Sequence, residues 1–295
     1  MATTNTFQQA PICDTDANFR LWGKALSDAF AAVGLVKDTD VSQINWTTVA
    51  KPTGTSTMMG YEIWRFDDSL QTACPVYFKI QYGSGSASAN YPGLILQVGQ
   101  GSTNTGTLTG TLATASTFGS GTSSATKYSC FVSSDKGRIN VAMFTGSGVT
   151  IPFAFYIERS KDDTGANTSL GVNIVVFGTS GSSTGVVTQQ YLPAIGAAYP
   201  VTPMISFMCA MPASGAGSYG GYVGLYPIYP NLGYAANPDM GALVYFTGDI
   251  ASPGAAIIVS LYGTNHTFIT LGVTSPSGSA LNGNTTSHSL AVRYE

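Results

Sequence analysis

The heptapeptide Val76-Tyr77-Phe78-Lys79-Ile80-Gln81-Tyr82 places four apolar or aromatic side chains on one side of an extended chain and Tyr77, Lys79 and Gln81 on the other. A repeat of two residues is typical of a β-strand with one face in the core and one in water. Similar strands are predicted at residues 61–66 and 94–98, separated from it by turn-forming segments. Together the three predict an antiparallel meander.

The same alternation returns at intervals up to the C-terminus. Alternating runs occupy residues 128–132, 139–143, 151–157 and 172–176, and further strands are predicted at 204–211, 222–226, 243–246, 255–262, 267–273 and 290–294. Many short strands joined by turns rich in Gly and Pro are typical of all-β proteins. The sequence therefore predicts an all-β fold, an antiparallel β-sandwich of jelly-roll type.

One amphipathic helix is predicted near the N-terminus. Its apolar residues recur at steps of three and four, its N-cap is Asp14, Thr15 or Asp16, and Gly34 is its stop signal; the apolar set is Phe19, Trp22, Leu26, Phe30 and Val33. The helix could dock on a neighbouring subunit, which would make Trp22 and Phe30 interface residues. Alternatively, it could close one end of its own β domain.

Two segments are predicted. After Gly99 the apolar periodicity is lost for more than two dozen residues, which is typical of a linker or a long exposed loop. We therefore divide the chain into residues 1–118, an anchoring unit of N-terminal arm, helix and meander, and residues 119–295, an antiparallel β-sandwich. The arm, residues 2–13, has few large apolar groups, so we expect it to become ordered only against a partner.

The composition is unusually poor in charge. Charged residues make up 9% of the chain, against roughly 25% in an average soluble protein. A surface of Ser, Thr, Gly, Asn and Tyr favours extensive contact with other protein subunits, and a secreted or fibrous β protein is the alternative. The net charge is −3 without a basic cluster, which argues against nucleic acid. No apolar run reaches the roughly 20 residues of a membrane span, and no signal peptide is recognisable.

The chain offers little for catalysis. It has two histidines, His266 and His288, and no serine elbow that would build a triad with them. Four separated cysteines lack metal-site spacing and are interpreted as small core residues. Carboxylates could pair for glycoside hydrolysis, but turns explain most of them; the candidates are Glu62, Asp67, Asp68, Glu158, Asp162 and Asp163. The sequence thus predicts no catalytic residue, no metal and no cofactor.

A segment rich in tyrosine and proline, residues 226–234, is the strongest predicted contact loop. It contains Tyr226, Tyr229 and Tyr234. Tyrosines with little conformational freedom make good contact surfaces, so the three are predicted interface residues. An ordinary rigid connection is the alternative.

The N-terminal third resembles virion structural proteins of tailed bacteriophages. The resemblance covers about the first 110 residues and lies in core and turn patterns: Phe19-Arg20-Leu21-Trp22-Gly23, Gln43-Ile44-Asn45-Trp46, Gly60-Tyr61-Glu62-Ile63-Trp64-Arg65-Phe66 and Pro75-Val76-Tyr77-Phe78-Lys79-Ile80. It implies a non-enzymatic subunit of the tail, collar, fibre or capsid decoration. The implied partners are copies of itself and other virion proteins, and the implied location is the virion, after assembly in the host cytoplasm.

A carbohydrate-directed protein is the alternative from another class. Tyrosines and Trp64 could stack on sugar rings of a host surface glycan, either in a receptor-binding module or, less in keeping with the acids, in a depolymerase. The same aromatic residues equally suit a β core.

Overall fold

The protein is described by a computed structural model and is mostly β. The described residues are 2–119, 123–145, 151–162, 164, 166–180, 183–192, 197–200, 218–219, 222–223, 225–227, 242–246, 254–261, 263–273 and 288–295. Within them the strands form several antiparallel sheets, and there is one α-helix.

The regular elements follow the chain from Thr3 to Arg293. The helix is α1 (Asp16–Ala32), and a 3-10 turn covers Ser69–Gln71. The strands are β1 (Thr3–Gln9), β2 (Val36–Lys37), β3 (Met58–Arg65), β4 (Tyr77–Ser84), β5 (Pro92–Gly99), β6 (Gly101–Ser102), β7 (Leu108–Thr109), β8 (Ala113–Gly119), β9 (Tyr128–Ser134), β10 (Arg138–Thr145), β11 (Ile151–Lys161), β12 (Asn167–Ser180), β13 (Ser183–Leu192), β14 (Ala197–Pro200), β15 (Ser218–Tyr219), β16 (Tyr222–Val223), β17 (Leu225–Pro227), β18 (Ala242–Phe246), β19 (Ala256–Leu261), β20 (Thr264–Val273) and β21 (His288–Arg293).

Three large sheets organise these strands. The central sheet has the order β1-β9-β10-β11-β12-β13-β14, the N-terminal sheet β2-β3-β4-β5-β8, and the C-terminal sheet β17-β18-β21-β20-β19. Two short ladders, β6–β7 and β15–β16, complete the set. Most neighbouring strands in the central and N-terminal sheets are consecutive along the chain, so both are built largely from hairpins.

The predicted meander is confirmed. Strands β3, β4 and β5 are antiparallel neighbours, and Phe78 pairs in register with Trp64 on one side and Val98 on the other. All three side chains are buried, whereas Lys79 on the opposite face is only partly so. The period-two pattern of β4 therefore gives the burial that it predicts.

The helix begins and ends where the sequence signals lie. The side chain of Thr15 accepts a hydrogen bond from the Asn18 N–H at 3.1 Å, as expected of an N-cap. At the other end Gly34 has φ +85°, a conformation that glycine adopts without a Cβ clash. The Leu35 N–H then donates to the Phe30 carbonyl at 3.2 Å, which completes a Schellman ending.

The main hydrophobic core lies between α1, the N-terminal sheet and the central sheet. The ring of Phe30 lies 5.6 Å from that of Phe78 and 6.4 Å from that of Phe155, so one helix side chain contacts both sheets. Trp22 and Phe30 are both buried in this core. The prediction that these two side chains contact another subunit needs correction, because the helix covers its own β core and leaves them almost no exposed surface.

The prediction that the N-terminal arm becomes ordered only against a partner also needs correction. Residues 3–9 form β1, an edge strand that pairs antiparallel with β9 from Thr3 opposite Ser134 to Gln9 opposite Tyr128. Backbone hydrogen bonds and the packing of Phe7 against the core replace the apolar contacts that the arm lacks. The pairing also crosses the predicted boundary at 118/119, and the main core draws residues from both sides of it. In the described residues the two predicted segments therefore share a sheet and a core.

The predicted linker after Gly99 is structured as well. It forms the β6–β7 hairpin and then β8, which pairs with β5. Asp40 holds the hairpin: its carboxylate accepts hydrogen bonds from the Ser102 hydroxyl at 2.6 Å and the Gly106 N–H at 2.7 Å. Lys79 donates to the Gly106 carbonyl at 2.6 Å. Polar contacts of this kind leave no hydrophobic periodicity in the sequence, which explains why a linker or a long exposed loop was predicted here.

The C-terminal sheet packs on the other face of the central sheet. The Tyr294 ring lies 5.4 Å from that of Phe131 in an edge-on contact, and the Asn140 amide donates to the Arg293 carbonyl at 2.8 Å. The central sheet is thus covered on both faces. Of the predicted contact loop, Tyr226 lies in β17 opposite Val244; Tyr229 and Tyr234 lie outside the described residues, as does the predicted strand 204–211.

Candidate functional site

The two faces of the central sheet carry different chemistry. On β10, Ile139, Val141 and Met143 point into the main core, while Arg138 and Asn140 point towards the C-terminal sheet. Neighbouring strands repeat this division. The buried polar residues between the central and C-terminal sheets form what we call the polar layer: Ser133, Arg138, Asn140, Glu158, Asn173, Thr270 and Arg293.

Two arginines of the polar layer lie close together. Arg138 is 1% exposed, and its Nε lies 3.9 Å from Asp135 Oδ2. Its Nε and Nη1 have no hydrogen-bond partner among the described residues. Burial and the charge of Arg138 lower the pKa of Arg293 to about 10, against the opposing effect of Glu158 and Asp135. Two nitrogen atoms of Arg138 are therefore buried without a hydrogen bond among the described residues, which is costly in a low-dielectric interior.

His266 joins the polar layer at its edge. Its Nδ1 lies 2.7 Å from Arg293 Nη2. Because a guanidinium can only donate, Nδ1 must be the acceptor, and the ring carries its proton on Nε2. Burial lowers the pKa of His266, a hydrogen bond with the Glu295 backbone opposes this, and the charge of Arg138 lowers it further. Burial and the Arg138 charge therefore favour the neutral ring.

A second buried network surrounds Glu62 in the main core. Its Oε1 accepts hydrogen bonds from Ser27 at 2.8 Å, Lys37 at 2.6 Å and the Trp46 indole at 3.0 Å. Its Oε2 accepts from Tyr82 at 2.9 Å and the Trp64 indole at 3.4 Å. The five donors come from α1, β2, β3, β4 and the segment before β3. A carboxylate so enclosed cannot reach a substrate, and its chemical effect is to fix the helix against the sheet.

Gly23 makes room for this network. A Cβ at residue 23 would stand 2.0 Å from the Trp46 ring, so only glycine lets the indole lie against the helix. The network thus depends on a close approach of helix and loop.

A third network joins the central sheet to the connection between β3 and β4. Arg159, fully buried, makes a bidentate pair with Asp68 and donates to the Cys74 carbonyl at 2.7 Å and to Gln71 at 3.1 Å. Its guanidinium also lies over the Phe66 ring, 5.5 Å from the ring centre. Planar bidentate geometry of this kind fixes orientation as well as distance.

The acids considered for hydrolysis serve other roles where they are described. Asp67 lies 3.8 Å from Lys136 at the surface, and Asp162 accepts hydrogen bonds from the Thr164 and Ala166 N–H groups of its own loop. Glu62, Asp68 and Glu158 belong to the networks above, and Asp163 lies outside the described residues. The polar layer was not predicted from the sequence, although Arg138 and Asn140 alternate visibly with apolar residues.

The described thiols are buried, and so are two of the three tryptophans, Trp22 and Trp64. Burial raises the pKa of Cys13 to about 12 and that of Cys130 well above its usual value, so these are poor nucleophiles at neutral pH. Trp64 is also buried, so its indole cannot stack on a sugar as the carbohydrate alternative requires. In the part of the chain that the structure describes, no three His, Cys, Asp or Glu side chains come together as metal ligands.

Two further observations bear on the class of protein. Among the described helical residues, none forms a segment long and apolar enough to cross a bilayer. Comparison with protein-family models, with curated proteins and with solved structures gives no match.

Proposed function

We propose that the protein is a non-enzymatic structural component of a bacteriophage virion, part of the tail, collar, fibre or capsid decoration. It acts through contacts with copies of itself and with other virion proteins, and it enters the virion after assembly in the host cytoplasm. The resemblance of the N-terminal third and the charge content of 9% support this proposal.

The observation that carries the proposal is the edge of the C-terminal sheet. Among the described strands, β19 is the last of that sheet, and it contains no charged residue. Ile258, at its centre, is 73% exposed. Proteins that remain monomeric usually protect such an edge with lysine, proline or a bulge, because a free edge pairs readily with another chain.

The backbone of β19 is oriented for pairing. The Thr267 carbonyl accepts from the Tyr294 N–H at 2.8 Å, and the Thr267 N–H bonds the Glu295 carbonyl at 3.3 Å, so Thr267 makes its hydrogen bonds away from β19. Ile258 lies opposite Thr267 in register. Since hydrogen-bonding residues alternate in an antiparallel ladder, the N–H and C=O of Ile258 point outwards from the sheet. A strand of another subunit can extend the sheet there.

The substitution Ile258→Lys tests this. A charge on an exposed edge should leave the fold intact and prevent strand pairing, so the variant should be lost from purified particles by mass spectrometry. Leu170→Lys is the matched control, since Leu170 is 62% exposed on an interior strand of the central sheet. Incorporation of Ile258→Lys at the level of the control would exclude β19 as the contact. Absence of the unmodified protein from particles would overturn the proposed function itself.

We also infer that the N-terminal and central sheets form a β-sandwich. One hydrophobic cluster lies between them, which supports face-to-face packing. The consecutive strand order favours a meander over the crossing connections of a jelly roll.

A further inference from the structure

We propose that His266 makes the packing of the C-terminal sheet on the central sheet sensitive to acid: protonation of the ring loosens the C-terminal sheet while the main core stays folded. This inference does not depend on the virion role. It rests on the position of His266 at the margin of the polar layer and on its contact with a buried arginine.

The neutral ring is part of the contact. Arg293 Nη2 donates to His266 Nδ1 at 2.7 Å, and the Arg293 carbonyl in turn accepts from the Asn140 amide of the central sheet at 2.8 Å. One residue of β21 therefore bonds to His266 through its side chain and to the central sheet through its backbone. A proton on Nδ1 removes the acceptor and places a cation against the guanidinium.

Two guanidinium groups, those of Arg293 and Arg138, oppose that cation. The charged groups facing this site come from each packed element: Arg293 from β21, Arg138 from β10, Glu158 and Lys161 from β11, and Asp135 from the turn before β10. Glu295, a further acidic residue, contributes backbone hydrogen bonds with His266 and, at 3.4 Å, with Arg293 Nε, and Val259 of β19 lies opposite His266 in register. A proton on His266 would therefore add a cation beside the guanidinium groups of Arg293 and Arg138.

The direction of the pH effect follows from the lowered pKa of His266. A histidine free of the contact has a pKa of about 6.5. Above that pH both the packed and the loosened states hold a neutral ring, and the contact is intact. As the pH falls below about 6.5, the loosened state binds the proton more readily, so packing weakens until the pH passes the lowered pKa. Each unit of pKa depression multiplies the opening constant by about ten.

Hydrogen exchange of the full chain at pH 7.5 and pH 5.0 tests the proposal, after correction for intrinsic exchange rates. In the unmodified protein, we expect the protection of β20 and β21 to fall about tenfold per unit of pKa depression. Protection of β4 and β5 should stay the same. His266→Asn keeps an acceptor near Nδ1 and cannot titrate, so its protection should be equal at both pH values. His288→Asn, which removes the other histidine, should keep the fall seen in the unmodified protein.

Either of two results would overturn the proposal: no loss of protection at pH 5.0 in the unmodified protein, or the same loss in His266→Asn. If His266→Asn does not fold, an NMR titration of the two histidine rings in the unmodified protein replaces it. His266 should then titrate below about 6.5, together with shifts of β21 amides. A pKa of 6.5 or higher would contradict the mechanism.

Discussion

The two faces of the central sheet differ in chemistry although the same strands form both. Towards α1 and the N-terminal sheet, the contact is made by rings and aliphatic side chains, such as Phe155 against Phe30 and Phe78. Towards the C-terminal sheet, buried guanidinium, amide and carboxylate groups, such as those of Arg138 and Asn140, lie among apolar side chains such as Phe144. Odd and even positions of one strand therefore serve two interfaces of different character.

The stability of the two interfaces is expected to depend differently on solution conditions. Apolar burial contributes about 25 cal/mol per Å² without regard to direction or pH. Buried polar groups contribute only when each finds a partner, and charged ones change with protonation. We infer that the main core fixes the fold, whereas the packing of the C-terminal sheet through the polar layer depends on pH.

The largest expected effect comes from Phe155→Ala. Phe155 is fully buried and contacts the rings of Phe30, Phe78 and Phe153, so the substitution leaves a cavity at the junction of helix and two sheets. We expect the free energy of unfolding to fall by about 3–5 kcal/mol. Denaturant titration measures this, and Leu170→Ala, at an exposed position, should change stability by about 0.5 kcal/mol or less. Similar losses for both would show that the main core is not the dominant interface.

The next effect concerns Glu62, a charged residue buried in the main core. Glu62→Gln keeps the shape of the side chain but removes the charge that faces Lys37 and turns an amide N–H₂ towards hydrogen-bond donors. We expect a loss of about 3 kcal/mol, at the lower end for a broken buried pair because Lys37 is partly exposed. Asp67→Asn is the control, since its pair with Lys136 lies at the surface and should contribute about 1 kcal/mol or less. A loss for Glu62→Gln no larger than the control's would contradict the importance of the network.

Much of the architecture could be predicted because its determinants are local. The alternation in β4, the N-cap at Thr15 and the glycine stop at Gly34 are each read from a few neighbouring residues. The N-terminal strand could not be predicted in this way. Its partner is β9, whose residues lie more than a hundred positions later, and its own side chains are mostly polar and exposed. Backbone pairing over such a distance leaves no trace in a short window.

The polar layer could not be predicted from the sequence for a different reason. Alternating polar residues such as Arg138 and Asn140 have the pattern of a strand with one face in water, and nothing local distinguishes water from a second sheet. Trp22 and Phe30 were similarly ambiguous, because a large aromatic residue suits both an interface and a core. Only the packing of the helix on its own sheets decides between them.

The smallest expected effects compare the two faces of the central sheet most directly, because the two substitutions are at adjacent residues of β10. Ile139→Val removes one methylene from the apolar face, and Asn140→Ala removes the hydrogen bond to the Arg293 carbonyl. Both should lower stability by about 1 kcal/mol, so their total effects cannot distinguish the interfaces. The regions in which each substitution increases hydrogen exchange can distinguish the two interfaces. Asn140→Ala should increase exchange in β20 and β21 alone, whereas Ile139→Val should increase it in β4, β5 and the central sheet together. Identical exchange patterns would mean that the two faces unfold as one unit, and the C-terminal sheet could not then open separately in acid.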